Sequence, residues 1–117
     1  MNRQQKGRAG EDLAASLLEK QGYRILQRNY RFDRGEIDLV ALEGGELVFI
    51  EVKARHGDRF GSPEEAVTPE KEEQLKKVAE GYLLEHKLDH QACRFDIVSI
   101  TYRGNIPQIS ILRNAFV

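Results

Sequence analysis

Apolar residues recur at helical spacing in two stretches of the chain. Within residues 8–21 the apolar positions repeat every three to four residues, and Gly22 stands where a helix C-cap belongs. The second stretch begins at Thr68-Pro69, an N-cap residue followed by proline at the first helical position. Its apolar stripe runs to about residue 86. The pattern predicts two amphipathic helices.

Between and after these helices the chain changes to short runs rich in β-branched and aromatic residues. Residues 23–32, 36–41, 46–54, 93–102 and 108–113 are predicted strands. The polar stretch 55–68 is a predicted loop. The long second helix gives the only connection in this chain that is able to return it for a parallel strand. The pattern therefore predicts an α/β fold, with a mixed β-sheet flanked by helices in the order αβββαββ, as a single domain over residues 1–117.

The second and third strands form the best-defined unit. Gly44-Gly45 favours a tight hairpin turn, and a turn centred between these glycines pairs residues whose numbers sum to 89. Asp38 then faces Glu51, and Glu36 faces Lys53. Strand alternation puts one wholly apolar set on one face: Ile37, Leu39, Ala41, Val48, Ile50, Val52 and Ala54. The opposite face is apolar near the turn and charged at its far end.

Two carboxylates directly across a strand pair destabilise a sheet unless a positive charge offsets them. Mg²⁺ does this well, because it prefers oxygen ligands and needs only one or two carboxylates when phosphate and water complete its shell. Asp38 and Glu51 are therefore candidate ligands, with Mn²⁺ as a substitute ion. Lys53 would orient or deprotonate a water, or steady developing negative charge. An ordinary cross-strand ion pair between Glu36 and Lys53 is the simpler alternative.

Composition excludes some classes of protein. Hydrophobic residues make up 40% and charged residues 32% of the 117 residues, as in a globular chain. There is no apolar run of membrane-spanning length and no secretory signal, so we expect a cytoplasmic protein without membrane association. Cys93 is the only cysteine, and its apolar surroundings predict a small buried side chain.

Positive charge is concentrated near the start of the chain. Residues 1–34 hold eight Lys/Arg and four acids, although the formal net charge of the chain is −1. This segment is a candidate phosphate-facing surface, or simply a solvated basic one. Five residues at the ends of predicted elements are candidate nucleic-acid contacts: Arg8, Arg34, Arg55, Lys71 and Gln74.

Gly35-Glu36-Ile37-Asp38 followed by Phe49-Ile50-Glu51-Val52-Lys53 resembles the signature of the restriction-endonuclease-like PD-(D/E)xK superfamily, to which archaeal Holliday junction resolvases are similar. Lys6-Gly7-Arg8-Ala9-Gly10-Glu11 and the segment from Gly61 to Thr68 resemble the narrower YraN-like bacterial family. The superfamily resemblance implies that Asp38, Glu51 and the carbonyl of Val52 bind the metal, that Lys53 serves the attacking water, and that Glu11 completes the site. Helical geometry independently sets Glu11 at the border of the buried face of the first helix.

Three hypotheses follow for function. The first is a Mg²⁺-dependent nuclease that hydrolyses phosphodiester bonds of nucleic acid, with structured or branched DNA as the expected substrate. The second is a non-catalytic nucleic-acid-binding module of the same fold. The third is a protein-binding adaptor that uses the last strand, which predicts no metal affinity. The resemblance to resolvases also implies a homodimer, since two sites must cut two strands.

Overall fold

The computed structural model describes residues 3–56 and 67–116, with the side chains of residues 3–7 and of residue 56 left out. Its elements follow the predicted order: α1 (Arg3–Lys20), β1 (Arg24–Phe32), β2 (Gly35–Glu43), β3 (Glu46–His56), α2 (Pro69–Glu85), β4 (Cys93–Arg103) and β5 (Ile106–Phe116). The predicted α/β class and element order are confirmed. Most of the predicted loop, and most of the motif from Gly61 to Thr68, lie outside the described residues.

The strands form one five-stranded sheet in the order β1-β2-β3-β4-β5. Among the described strands, β3 and β4 pair in parallel with α2 in the connection between them, whereas the other neighbours are antiparallel. The mixed sheet therefore arises as predicted, because hairpin turns can join only antiparallel strands. Neither described helix is long and apolar enough to cross a membrane.

The ends of the helices follow from local chemistry. Gly22 has φ of +98°, and the bonds from Gly22 N–H to the Glu19 carbonyl and from Tyr23 N–H to the Leu18 carbonyl close α1 as a Schellman motif. Thr68 caps α2 by accepting a hydrogen bond from Lys71 N–H at 3.2 Å. Helix α1 starts at Arg3, five residues before the predicted start. Glycine in its first turns did not prevent it from forming.

The two helices pack on opposite faces of the sheet. The α1 face holds Leu39, Ala41, Val48 and Ile50 with the buried residues of the helix. The α2 face holds Val40, Leu47 and Phe49 with Leu75, Val78 and Tyr82. The rings of Tyr30 and Phe49 meet the Tyr82 ring edge-on, with centroids 5.1 and 5.8 Å away. Tyr82 thus belongs to the core, which anchors α2 across the strands that carry the candidate site.

The predicted alternation fails at one point in β2. Ile37 packs with the α2 cluster, although Leu39, two residues later, packs with the α1 cluster. In β1, Asn29 has φ of +55°, and the β1–β2 ladder skips Asn29 and Asp38. Asparagine tolerates this left-handed backbone better than most residues. The expectation that Ile37 shares the face of Leu39 is wrong because the strands change orientation at this pair.

Candidate active site

The β2–β3 hairpin has the predicted register. Leu39 pairs with Ile50 and Glu43 pairs with Glu46, so the facing numbers sum to 89. Both turn residues, Gly44 and Gly45, have positive φ, as a tight hairpin turn requires. The regular ladder ends at Leu39 and Ile50, one pair before Asp38 and Glu51. Beyond this point β3 continues to pair with β4, from Glu51 opposite Ile97 to His56 opposite Tyr102.

Asp38 occupies the place where β2 and β3 separate. Its carboxylate Oδ2 accepts a hydrogen bond from Val52 N–H at 2.8 Å. The side chain thus takes a position that a backbone carbonyl would hold in a continuing ladder. This contact fixes the Asp38 carboxylate beside the β3 segment that carries Glu51 and Lys53. Strand separation gives room for charged groups between the strands, which a flat ladder would not.

Glu51 is the buried acid of the site. Its side chain is 8% exposed, and Oε2 is buried without a hydrogen-bond partner. Burial and the negative charge of Asp38 raise the pKa of Glu51 to about 7, although the positive charges of Lys71 and Lys53 act in the opposite direction. A buried carboxylate oxygen without a donor is costly. The arrangement therefore favours a cation or a proton at this atom.

Lys53 lies next to Glu51 on the same face of β3. Its Nζ is 3.6 Å from Glu51 Oε1, and its side chain is about one-third exposed. Glu36 instead pairs with Arg31 on β1, with 3.4 Å between Oε2 and Nε. The simple alternative, a cross-strand ion pair between Glu36 and Lys53, is therefore wrong. Val52 stands between Glu51 and Lys53, and the ligand role implied for its carbonyl stays a prediction.

Glu11 approaches the same region from α1. Its side chain is 18% exposed, as expected for the border of the buried face, whereas Asp12 is 59% exposed and binds Arg28. The pKa of Glu11 is raised by burial and by the charge of Asp38, and a hydrogen bond with Asn29 opposes the rise. Sequence reasoning missed Asn29. Its only signal was a residue type that tolerates the left-handed conformation.

The acids do not form a closed three-acid cage. Among the residues that the structure describes, no group of three or more His, Cys, Asp and Glu side chains is arranged to hold a metal ion. The fit to Mg²⁺ rests instead on two neighbouring carboxylates, one of which has a buried oxygen without a donor. This donor set suits Mg²⁺, which is commonly held by one or two carboxylates while phosphate and water supply the other ligands.

Three of the five candidate nucleic-acid contacts line one groove, which we call the turn–helix groove. It lies between the β1–β2 turn and the first turns of α2, has a volume of about 560 Å³, and is lined by residues that include Phe32, Asp33, Arg34, Lys71, Gln74 and Lys77. Gln74 Nε2 donates to the Arg34 carbonyl at 3.4 Å. The lining of the groove contains none of Asp38, Glu51 and Lys53, although the positive charge of Lys71 lowers the pKa of Glu51.

The other two candidates lie elsewhere. Arg8 is exposed on α1, and Arg55 is half-buried near the end of β3. Neither lines the turn–helix groove. The predicted set of contacts is therefore divided between one groove and two separate positions.

Comparison with known proteins identifies the family. The model of the uncharacterised protein family UPF0102 matches residues 10–100. The chain belongs to the UPF0102 family. The UPF0102 protein of Caldicellulosiruptor saccharolyticus is 41% identical over 118 residues, covering 99% of this chain and all of the relative. The UPF0102 protein of Syntrophus aciditrophicus is 42% identical, covering 94% of this chain and 87% of the relative.

A third UPF0102 relative, from Symbiobacterium thermophilum, is 51% identical over 94 residues, which are 80% of each chain. The predicted membership of the YraN-like family, which is the UPF0102 family, is thus confirmed. The matched segment of the UPF0102 model includes Glu11, Asp38, Glu51 and Lys53. These names describe a family and no activity, so the chemistry must be argued from the side chains.

A second polar cluster, which the sequence did not indicate, lies at the opposite end of the hairpin. Arg94 donates to Asp96 at 3.1 Å, to Glu46 at 2.9 Å and to Glu43 at 2.8 Å, and Tyr23 OH donates to Asp96 at 2.7 Å. Asp96 is 1% exposed and also accepts from the N–H of Asn114. Each charge has a partner, so this cluster joins β2, β3, β4 and β5 structurally.

Cys93 differs from its prediction. It is exposed at the first residue of β4, rather than buried in the apolar run that follows. Burial of the side chains on this strand begins at Arg94. The apolar neighbours of Cys93 in sequence misled the prediction because it stands at the strand end.

Proposed function

We propose that this UPF0102 protein is a Mg²⁺-dependent nuclease that hydrolyses phosphodiester bonds of nucleic acid, with structured or branched DNA as the expected substrate. The observation that carries the proposal is the convergence of Asp38, Glu51 and Lys53 where β2 and β3 separate. The buried Oε2 of Glu51 lacks a donor, and Asp38 is held beside it by Val52 N–H. Structural ion pairs do not normally leave a buried carboxylate oxygen unsatisfied.

Asp38 and Glu51 would hold the cation, with the Val52 carbonyl as the further ligand that the superfamily resemblance implies. A bound Mg²⁺ or Mn²⁺ supplies a Lewis acid that stabilises charge on the reacting phosphate. Lys53, with Nζ 3.6 Å from Glu51 Oε1, presents a positive charge beside this position. It would orient the attacking water and stabilise negative charge in the transition state.

Lys71, Arg34 and Gln74 would position the nucleic acid. The positive charge of Lys71 opposes the rise in the pKa of Glu51, and Lys71 also lines the turn–helix groove. Phosphate contacts by such side chains fix register without reading sequence. Glu11, which interacts with the charge of Asp38, would tune the acidity of the site from α1.

The direct test is cleavage of a panel of labelled nucleic acids. Duplex, single-stranded, flap and four-way DNA and matching RNA are incubated with Mg²⁺, with Mn²⁺ or with chelator, using wild-type protein and Asp38→Asn. We expect metal-dependent cutting by the wild type and a loss of at least 100-fold in the variant. Equal cutting by both proteins would assign the activity to a contaminant and reject the proposal.

One observation favours a second candidate, a nucleic-acid-binding module without turnover. The described residues contain no metal-binding group of three or more acidic, His or Cys side chains. This candidate predicts binding of the same nucleic acids without cutting in either metal. Gel-shift measurement beside the cleavage assay separates it from the nuclease, and from an adaptor that binds no nucleic acid.

A further inference from the structure

Phe32 is an exposed aromatic side chain in the turn–helix groove. Its exposed fraction is 42%, and it lines the turn–helix groove beside Arg34 and Lys71. A single exposed apolar residue is common on a protein surface. An exposed ring inside a concave site is a more specific feature, because concave sites are where ligands bind.

The ring is held against the backbone of α2. A Cβ atom placed on Gly81 would lie 2.4–2.6 Å from three ring atoms of Phe32, far inside contact distance. The helix therefore approaches the ring as closely as a glycine permits, which restricts the ring from one side. A rigid aromatic group loses little conformational entropy when a second flat group stacks on it.

The charges of the groove indicate which part of a nucleic acid it suits. Three cationic side chains are balanced by three acidic ones among its lining residues: Arg34, Lys71, Lys77, Asp33, Glu70 and Glu73. A channel for a phosphate backbone alone would be predominantly basic. A balanced lining with an aromatic face and hydrogen-bonding groups such as Gln74 suits a neutral, flat, polar group.

From these observations we infer that the turn–helix groove binds an unpaired nucleobase, which stacks on Phe32 while the adjoining phosphate lies by Lys71. The inference rests on the proposed function for the identity of the ligand. The volume of the turn–helix groove, about 560 Å³, is within the range of small-molecule sites. The substrate class would then be nucleic acid with at least one unpaired nucleotide, rather than perfect duplex.

A fluorescent base tests the stacking without requiring cleavage. The protein carries Lys53→Ala so that substrate persists, and the ligand is duplex DNA with a single unpaired 2-aminopurine, whose fluorescence falls on stacking. A fully paired duplex with the same base is the control ligand. We expect quenching and tighter binding with the unpaired base, and about tenfold weaker binding after Phe32→Leu.

Phe32→Tyr keeps the ring and should retain both the quenching and the affinity. If Phe32→Leu quenches as strongly as its parent, or if the bulged and paired duplexes bind alike, the inference is overturned. If the quenching depends on Phe32 but the wild-type protein, which retains Lys53, cuts no nucleic acid, the nuclease proposal is rejected and the base site is supported. Failure of the base site can therefore be distinguished from failure of the proposed nuclease function.

Discussion

The carboxylate of Asp38 accepts the backbone N–H of Val52 at 2.8 Å, across the point where the β2–β3 ladder ends. One residue thus has two roles. It replaces a missing backbone acceptor, and it holds a negative charge next to Glu51. The structural role needs an acceptor atom, whereas the proposed metal-binding role needs the charge.

These roles can be separated by two substitutions at Asp38. Asp38→Asn retains an oxygen that can accept from Val52 N–H, so we expect a free energy of unfolding close to wild type. Asp38→Ala leaves that N–H without a partner and should cost about 1–3 kcal/mol. Urea unfolding in chelator measures both. Equal destabilisation by the two variants would show that the hydrogen bond is not what Asp38 contributes.

Glu51 should make stability depend on pH. Its pKa in the folded protein is about 7, above the ordinary glutamate pKa of 4.5, so the folded state holds an extra proton between these pH values. Stability from this group is therefore fully present below about pH 4.5 and is lost as pH rises through 7. Glu51→Gln removes the titration.

The measurement is chemical unfolding of wild type and Glu51→Gln at pH 5 and pH 8 in chelator. From pH 5 to pH 8, the free energy of unfolding of the variant should rise by roughly 1–3 kcal/mol relative to that of the wild type. An identical difference in unfolding free energy at both pH values would contradict the buried, proton-binding state of Glu51.

Gly81 lies in a helix at a position where we expect alanine to destabilise the protein. Replacing glycine by alanine inside a helix normally stabilises by about 1 kcal/mol. Here the new Cβ would meet the Phe32 ring at 2.4–2.6 Å, so we expect Gly81→Ala to destabilise by about 1–3 kcal/mol. Adding Phe32→Ala should remove this penalty in a double-mutant cycle measured by urea unfolding. Simple additivity would show that the ring is not the obstacle.

The buried Arg94 cluster should dominate stability at the turn end of the hairpin. Arg94→Ala leaves the fully buried Asp96 without its charge partner and should cost about 3–5 kcal/mol. Arg113, which also binds Glu43 but is 47% exposed, is the matched control, and its change to alanine should cost less than about 1 kcal/mol. Comparable losses of stability in the two variants, measured by thermal or urea unfolding, would refute the structural role given to Arg94.

Local patterns predicted most of the fold. The glycines at 44 and 45 set the hairpin register, and the Thr68-Pro69 pair set the start of α2. The sequence could predict the grouping of Asp38, Glu51 and Lys53, because the position of the turn fixes the register of the hairpin and the alternation of its side chains. The predicted location of Glu11 needed only helical geometry.

The departures arise where tertiary structure overrides local pattern. Asparagine tolerates a positive φ, but its residue type alone does not indicate that Asn29 adopts one or that Ile37 changes face beside it. The Arg94–Asp96 cluster joins residues from four strands, so its acids were indistinguishable from turn and surface residues. The grouping of Arg34, Lys71 and Gln74 depends on how α2 packs on the β1–β2 turn.

In the proposed mechanism, Glu51 and Lys53 act together in metal-dependent hydrolysis. The single-turnover cleavage rate in Mg²⁺, measured for wild type, Glu51→Gln and Lys53→Met, tests this joint role. Lys76→Met is the control, since Lys76 pairs with Glu73 on α2. We predict that both site variants fall by at least 100-fold with folding intact, while the control stays within about twofold. Cleavage by either site variant at the wild-type rate would contradict the account.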